Sequence, residues 1–302
     1  MAVATSLWDE GKDCMTQSGF NSGLATRRVV DPRVPLPRRR SIRKTRRQEL
    51  EIKLATLQKD YAELHTAIFE AAQVHRRLCA PRLVRYGNFE IASEIFAVRH
   101  LPGDFFTVEE TNNRVLLTLG DICGKGLAAG MWTTHLVGLV GTHAAVTCEP
   151  ESIVAGVNRD VCRMTSVPLA SLFLARLDPT SGRLDYCSAG HPPALLLRAN
   201  GQLESLSQGG LLLGVLPAAT YVSGSVEFGH GDVLLLYSDG LVESVNEKGE
   251  EFGVARLQEH LRRTRTASAD AMLFSLLGAV QDFAATRSLV DDMSLVIVGR
   301  GQ

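Results

Sequence analysis

Five aspartates stand at the ends of apolar runs, three of them beside glycine. Asp104 lies in Pro102-Gly-Asp-Phe-Phe106. Asp121 follows the run Val115–Leu119 and opens Asp-Ile-Cys-Gly-Lys-Gly126. Asp239 follows the run Asp232–Tyr237 in Ser238-Asp-Gly-Leu-Val-Glu243, and Asp291-Asp292 directly precede Met293–Val298. A strand holds a carboxylate at its end rigidly, and glycine lets backbone carbonyls approach a common point. Clustered acids repel one another unless a cation sits between them. Hard divalent ions with oxygen ligands do that, and magnesium or manganese suits carboxylate, carbonyl and water donors. The pattern points to an all-oxygen metal site without His or Cys. Each Asp-Gly taken singly is also a common turn pair.

Other chemistry finds no support. Gly120-Asp-Ile-Cys-Gly-Lys-Gly126 lacks the glycine spacing and the Ser/Thr after lysine of a phosphate loop. No Gly-x-Ser-x-Gly elbow is present. Cys123 has no base near it in sequence and reads as a small loop filler. His191, in Gly190-His-Pro-Pro193, reads as the anchor of a turn. Lys125 shapes its loop and is assigned no chemistry.

The elements that must carry these acids follow from periodicity. Val115–Leu119, Ser171–Leu177, Arg183–Cys187, Ala194–Arg198, Ser223–Phe228, Asp232–Tyr237 and Met293–Val298 read as strands. Asn200-Gly201 signals a hairpin. Gly126–Val146, Pro150–Met164, Val254–Arg263 and Ala267–Ala285 read as helices, with Pro150 suited to a helix start. Groups of strands with helices between them, without regular βαβ alternation, predict an α+β fold of largely antiparallel sheets covered by helices.

Ahead of this region, Leu50, Leu54, Leu57, Tyr61, Leu64, Ile68, Ala71 and Leu78 form a heptad seam broken only at His75. Residues 47–84 therefore read as a helical linker whose seam is covered by a second copy, through 50–78, or by the following domain. Residues 1–46 read as a basic disordered arm. Arg27–Arg47 carries ten basic residues against one acid, with Pro32, Pro35 and Pro37 among them.

Composition bounds the class. The chain has 302 residues, 45% hydrophobic and 22% charged, which fits a folded protein large enough to bury a core without disulfides. The net charge of −1 hides an asymmetry: the first 50 residues hold 11 basic and 5 acidic groups, the other 252 hold 21 and 28. The main domain is therefore no nucleic-acid binder on bulk charge, and that reading would rest on the arm alone. The six cysteines form no CxxC pair and read as free thiols. The mildly apolar stretch Gly126–Val146 is too polar to span a membrane, and Met1–Glu10 lacks the apolar core of a signal peptide. A cytoplasmic protein is expected.

Taken in order, Pro102-Gly-Asp-Phe-Phe106, Asp121-Ile-Cys-Gly-Lys-Gly126, Ala189-Gly-His-Pro-Pro193, Ser238-Asp-Gly-Leu-Val-Glu243 and Asp291-Asp-Met-Ser294 resemble the PPM-type metal-dependent serine/threonine phosphatases, SpoIIE/RsbU branch. The resemblance covers about residues 85–299, with a weaker match in the helix before it, and implies a phosphatase domain over 85–302. It implies an αββα sandwich of two antiparallel sheets flanked by helices, with two Mn²⁺ or Mg²⁺ ions at one end. Asp121 would bridge both ions, with the Ile122 carbonyl helping on one. Asp239 and Asp291 would complete the other, with Asp292 the alternative to Asp291, and Asp104 would bind through water or hold a weaker ion. Catalysis would depend on Asp121 and Asp239. The reaction implied is attack of a metal-activated water on phosphoserine or phosphothreonine, without a phospho-enzyme. The substrate class implied is a STAS-domain anti-sigma-factor antagonist in partner-switching signalling; the helix sits where the family carries a regulatory or dimerising linker, so helix pairing is expected to set activity. Residues that bind the substrate are not identified by sequence. Pro102 stands where the family usually has glycine, and Thr107 where it usually has an acid. These departures keep open a second reading, a weak or inactive pseudophosphatase that binds partners.

Overall fold

The structure, a computed structural model, describes residues 39–301 apart from 80, 99, 100, 112, 165, 166 and 288. The chain divides into two compact units, Met1–Gln58 and Lys59–Gln302. The described part of the first is helical throughout and belongs to α1 (Arg39–Leu78), which continues into the second.

This helix begins eight residues before the expected linker, because no proline follows Pro37 until Pro81 and Arg is a good helix former. The expected disordered arm is therefore helical over 39–46, and its remainder, with Cys14, lies outside the described residues. The helix ends at Leu78, and β1 (Leu83–Tyr86) starts inside the segment expected to be linker.

The second unit continues with β2 (Phe89–Phe96), β3 (Asp104–Thr111), β4 (Arg114–Ile122), α2 (Leu127–Val146), α3 (Pro150–Arg163), β5 (Ala170–Leu177), β6 (Arg183–Ala189), β7 (Ala194–Leu197), β8 (Leu203–Leu206) and β9 (Gly209–Gly210). Then come β10 (Gly224–Glu227), β11 (Val233–Tyr237), α4 (Asp239–Val242), α5 (Gly253–Thr264), α6 (Ala269–Ala284) and β12 (Met293–Arg300). One sheet has the order β1-β2-β12-β11-β7-β8 and the other β10-β6-β5-β4-β3, with β9 parallel to β6 and every other named pairing antiparallel.

Three apolar clusters define four layers. Between the sheets lie Phe89, Ile91, Leu117, Leu119, Phe173, Leu234, Leu236 and Val296. Leu257, Leu261, Met272, Leu273 and Leu276 of α5 and α6 cover the outer face of the first sheet. Leu136, Val140, Ile153, Val157 and Val161 of α2 and α3 cover the second. This is the αββα arrangement. The central strand β5, Ala-Ser-Leu-Phe-Leu-Ala-Arg-Leu, is buried at every position because both its faces are covered. Its only charged residue, Arg176, donates from Nη1 to Thr147 O (3.1 Å) at the C-terminus of α2, where the helix dipole favours a cation. Asn200-Gly201 forms the β7–β8 turn, with Gly201 at φ 90°, as glycine permits.

The heptad seam is split. Leu54, Leu57, Tyr61 and Leu64 are exposed, whereas Ile68, Ala71 and Leu78 are partly covered and His75 is buried. At the covered end, Arg76 pairs with Glu94 of β2 (3.5 Å), and Cys79 packs against the cluster between the sheets. Of the two coverings expected for this seam, packing on the following domain applies to its last turns, and its earlier turns are exposed.

Candidate metal centre

Strand alternation decides where the acids point. On β4, Val115, Leu117 and Leu119 face the space between the sheets, so Asp121 continues that face. On β3, Phe106 and Val108 do the same, and Asp104 begins the face. Asp104 and Asp121 are partners in register, which brings their Cβ atoms to about 5 Å. From the opposite sheet, Leu234 and Leu236 of β11 lead to Ser238, and Val298 and Val296 of β12 lead back to Ser294. All these positions meet at one end of the sandwich.

Hydrogen bonds tie the two sheets together there. Ser294 Oγ donates to Asp104 Oδ2 (2.5 Å). The Ser294 N–H donates to Ser238 Oγ (2.9 Å), and the Ser238 N–H to the Ser294 carbonyl (3.0 Å). Asp239 is not at a strand end, as its sequence suggests, but opens the one-turn helix α4. Asp291 pairs with Lys125 Nζ (2.7 Å), which also donates to the Val290 carbonyl (2.8 Å).

Asp292 has a different task from the one expected. It is buried, and its two oxygens accept from the Val98 N–H (2.7 Å) and the Gly103 N–H (2.8 Å). Both oxygens are thus engaged in bracing the segment that leads into β3. Of the pair, Asp291 remains the first choice as a ligand, as the motif implies, with Asp292 engaged on both oxygens.

The electrostatics agree with a crowded anionic site. Burial, with Asp121 as the nearest like charge, holds the Asp104 carboxyl well above the usual aspartate range. Asp121 is pushed up to about 6 by burial, then by Asp239, with Asp291 and Asp292 adding to it. Asp239 also raises Glu243. Cys123 is raised by burial and then by Asp121 and Asp239, which leaves it a poor nucleophile.

Do these residues fit a divalent cation? Among the described residues, no three acid, imidazole or thiol groups already surround one point. Asp291 instead pairs with Lys125, Asp292 accepts from two amides and Asp104 accepts from Ser294. The oxygens nevertheless converge. A side chain at Gly103 would place its Cβ 3.0 Å from the Ile122 and Gly124 carbonyls and 3.3 Å from Asp121 Oδ1. At Gly240, a Cβ would lie 2.0 Å from the Asp292 carbonyl. The donor set is all oxygen, the loops are closed by glycine, and burial with neighbouring acids raises the Asp104 and Asp121 carboxyls. The residues fit a hard cation.

Two further expectations can be placed. His191 is buried, bonded through Nδ1 to Ser171 Oγ (2.7 Å), and its backbone N–H donates to Ser188 Oγ (3.2 Å); burial lowers its pKa to about 3. It is a neutral structural residue. Thr107 is buried and shares a 2.7 Å hydrogen bond with Thr118 Oγ, so it adds no charge to the centre. Ser238, Ser294 and the Lys125–Asp291 pair were not legible as site residues. For the serines a signal existed, because each continues an apolar alternation into the end that carries the acids.

The family model for stage II sporulation protein E (SpoIIE) matches residues 111–301. The chain belongs to this family. Protein IcfG of Synechocystis sp. is 24% identical over 245 residues, covering 70% of this chain and 38% of that protein. The chain thus spans well under half the length of this curated relative. The SiaA-PP2C domain of Pseudomonas aeruginosa has a similar fold, with a TM-score of 0.69 at 16% identity over 80% of this chain and 98% of that one. The RsbU and RsbW domains of a Mycobacterium tuberculosis protein match with a TM-score of 0.63 at 23% identity, over 74% of this chain and 63% of that one. These likenesses establish the fold of the SpoIIE-family chain as that of PP2C/PPM phosphatase domains. Among the described residues, no helix is long and apolar enough to cross a membrane.

Proposed function

We infer that the chain is a metal-dependent serine/threonine protein phosphatase, a cytoplasmic enzyme acting on a phosphorylated STAS-domain antagonist in partner-switching signalling. The observation that supports this reading is the crowding of Asp104 and Asp121 at one end of a PPM-type sandwich, where burial and neighbouring acids, Asp239 and Asp291 among those acting on Asp121, raise both carboxyls. Two Mg²⁺ or Mn²⁺ ions would be held by Asp121 between them, by the Ile122 carbonyl, and by Asp239 and Asp291, with Asp104 contributing through water. Bound there, such ions supply a water of lowered pKa and positive charge for the phosphoryl oxygens. The chain's own residues orient: Ser294 fixes Asp104, Asp292 braces Gly103, and Gly103 and Gly240 let the loops close. No side-chain nucleophile is required, in keeping with the raised Cys123 thiol.

The bare stretch of the heptad seam, with Leu54, Leu57, Tyr61 and Leu64 each more than half exposed, supports a homodimer through the helix. The test of function is hydrolysis of an aryl phosphate and of phosphorylated STAS proteins with manganese, with chelator, and in Asp121→Asn and Asp239→Asn. Metal-dependent turnover lost in both variants is expected. Absence of turnover with manganese bound would favour the second reading, a partner-binding pseudophosphatase. That reading draws on Pro102, on the uncharged Thr107, and on the Lys125 ammonium already seated on Asp291.

A further inference from the structure

The seam of α1 does not end at Leu50 but changes character there. Its alternation of three and four continues backward onto Arg47, Arg43 and Arg40, inside the helix that begins at Arg39. An apolar stripe thus passes into an arginine stripe on the same face of one continuous helix. Over residues 39–47 six of the nine positions are Arg or Lys, none is acidic, and Ile42 is the only apolar one. Arg47 pairs with Glu51 (2.8 Å). Arg39, Arg40, Arg43 and Lys44 have no acid three or four residues away, so no neighbour along the helix neutralises them. Arginine at three successive seam positions bars this end from pairing with a second copy, because like charges would meet where apolar knobs belong. The first turns of α1 therefore call for an anionic surface.

Two features choose among such surfaces. Five of the six basic residues are arginine, whose planar fork matches phosphate oxygens two at a time. A helix lying on a phospholipid surface needs an apolar face along the same turns, and here Ile42 stands alone. A helix about 10–12 Å across fits the major groove of DNA, about 12 Å wide, and nine residues span about four base pairs. Basic helices that run on from a paired seam enter the groove in this way. The chain beyond residue 50, with 21 basic and 28 acidic groups, does not compete for the same partner.

We propose that the first turns of α1 bind double-stranded DNA through its phosphates, with positions 40, 43 and 47 on the contact face. The inference does not rest on the phosphatase reading.

The experiment is fluorescence anisotropy of the full chain with a labelled DNA duplex across about 50–200 mM salt. Six phosphate contacts predict that log affinity falls with log salt at a slope of about −5. Arg40→Gln with Arg43→Gln should reduce that slope by about 2 and the affinity at 0.1 M salt by about 50-fold. Arg40→Lys with Arg43→Lys should keep the slope. Arg263→Gln with Arg265→Gln removes the same charge from exposed positions at the end of α5 and should change neither quantity. Glutamine and lysine are good helix formers, and circular dichroism of each variant verifies the helix. Duplex RNA, whose major groove is too narrow for a helix, and phosphatidylserine vesicles should bind at least about tenfold more weakly. No DNA binding by about 100 µM chain at the lowest salt, an equal loss in the two glutamine variants, or binding as tight to duplex RNA, to the vesicles or to polyglutamate would overturn the proposal.

Discussion

Replacing Asp121 with asparagine should make the metal-free fold more stable. Burial and the neighbouring Asp239 raise the Asp121 carboxyl from the ordinary 3.8 to about 6. The native state therefore binds this proton more tightly than the unfolded chain does. Below pH 3.8 both states are protonated and the group contributes no penalty. Between 3.8 and 6 the unfolded chain releases the proton first, so native stability falls as the pH rises, and above 6 the penalty is complete. At about 1.4 kcal/mol per pH unit, and discounting for partial solvent screening, the penalty is about 2–3 kcal/mol. Asparagine is nearly isosteric and carries no charge. Urea unfolding in chelator at pH 7.5 should show a higher midpoint for Asp121→Asn with an unchanged slope, and the gap to the native sequence should narrow toward pH 5. Manganese should reverse the order. A cation at 100 times its Kd stabilises the native chain by about 2.7 kcal/mol, and the variant should gain less. If Asp121→Asn in chelator proves no more stable than the native chain, the acids do not crowd one another and the case for a metal centre built on their repulsion fails.

Other substitutions probe separate parts of the centre. Lys125→Met removes the ammonium that competes for Asp291, and a half-exposed pair of this kind holds about 0.2–1 kcal/mol, so manganese affinity by calorimetry should rise up to about fivefold; a fall would mean that Lys125 positions Asp291 rather than competing for it. Gly240→Ala drives a methyl to 2.0 Å from the Asp292 carbonyl, and a loss of about 1–3 kcal/mol is expected in urea unfolding. Asp292→Ala leaves the Val98 and Gly103 amides without their acceptor, which should cost about 2–4 kcal/mol and increase hydrogen exchange at Gly103. Leu57→Glu, on the bare seam, should abolish any dimer seen by sedimentation while leaving the urea midpoint of the monomer unchanged.

The strands and helices that were legible share a physical feature. β4, β5, β6, β11 and β12, like α2, α3, α5 and α6, are long apolar or periodic runs bounded by glycine, proline or turn residues. β2 and β3 escaped because glutamates interrupt them: Glu90 and Glu94 point away from the cluster between the sheets, and Glu109 and Glu110 lie where β3 runs out to solvent. β8 and β9 are too short to show a period, and a single turn such as α4 has none. The extra turns at the start of α1 were masked by their charge, which repels but does not prevent a helix of arginines.

By itself, the order of residues determined the fold class, the seam of the long helix and the identity of the acids. Local periodicity and turn chemistry are properties of neighbouring residues and can be read one segment at a time. Tertiary structure alone decided which partners the acids meet. Asp291 and Asp292 are adjacent and chemically alike, yet one faces Lys125 and the other is consumed by two backbone amides nearly two hundred residues away in the chain. The same stacking of sheets made Ser238 and Ser294 parts of the site. Those assignments depend on which surfaces meet across the sandwich, and sequence spacing carries no record of that distance.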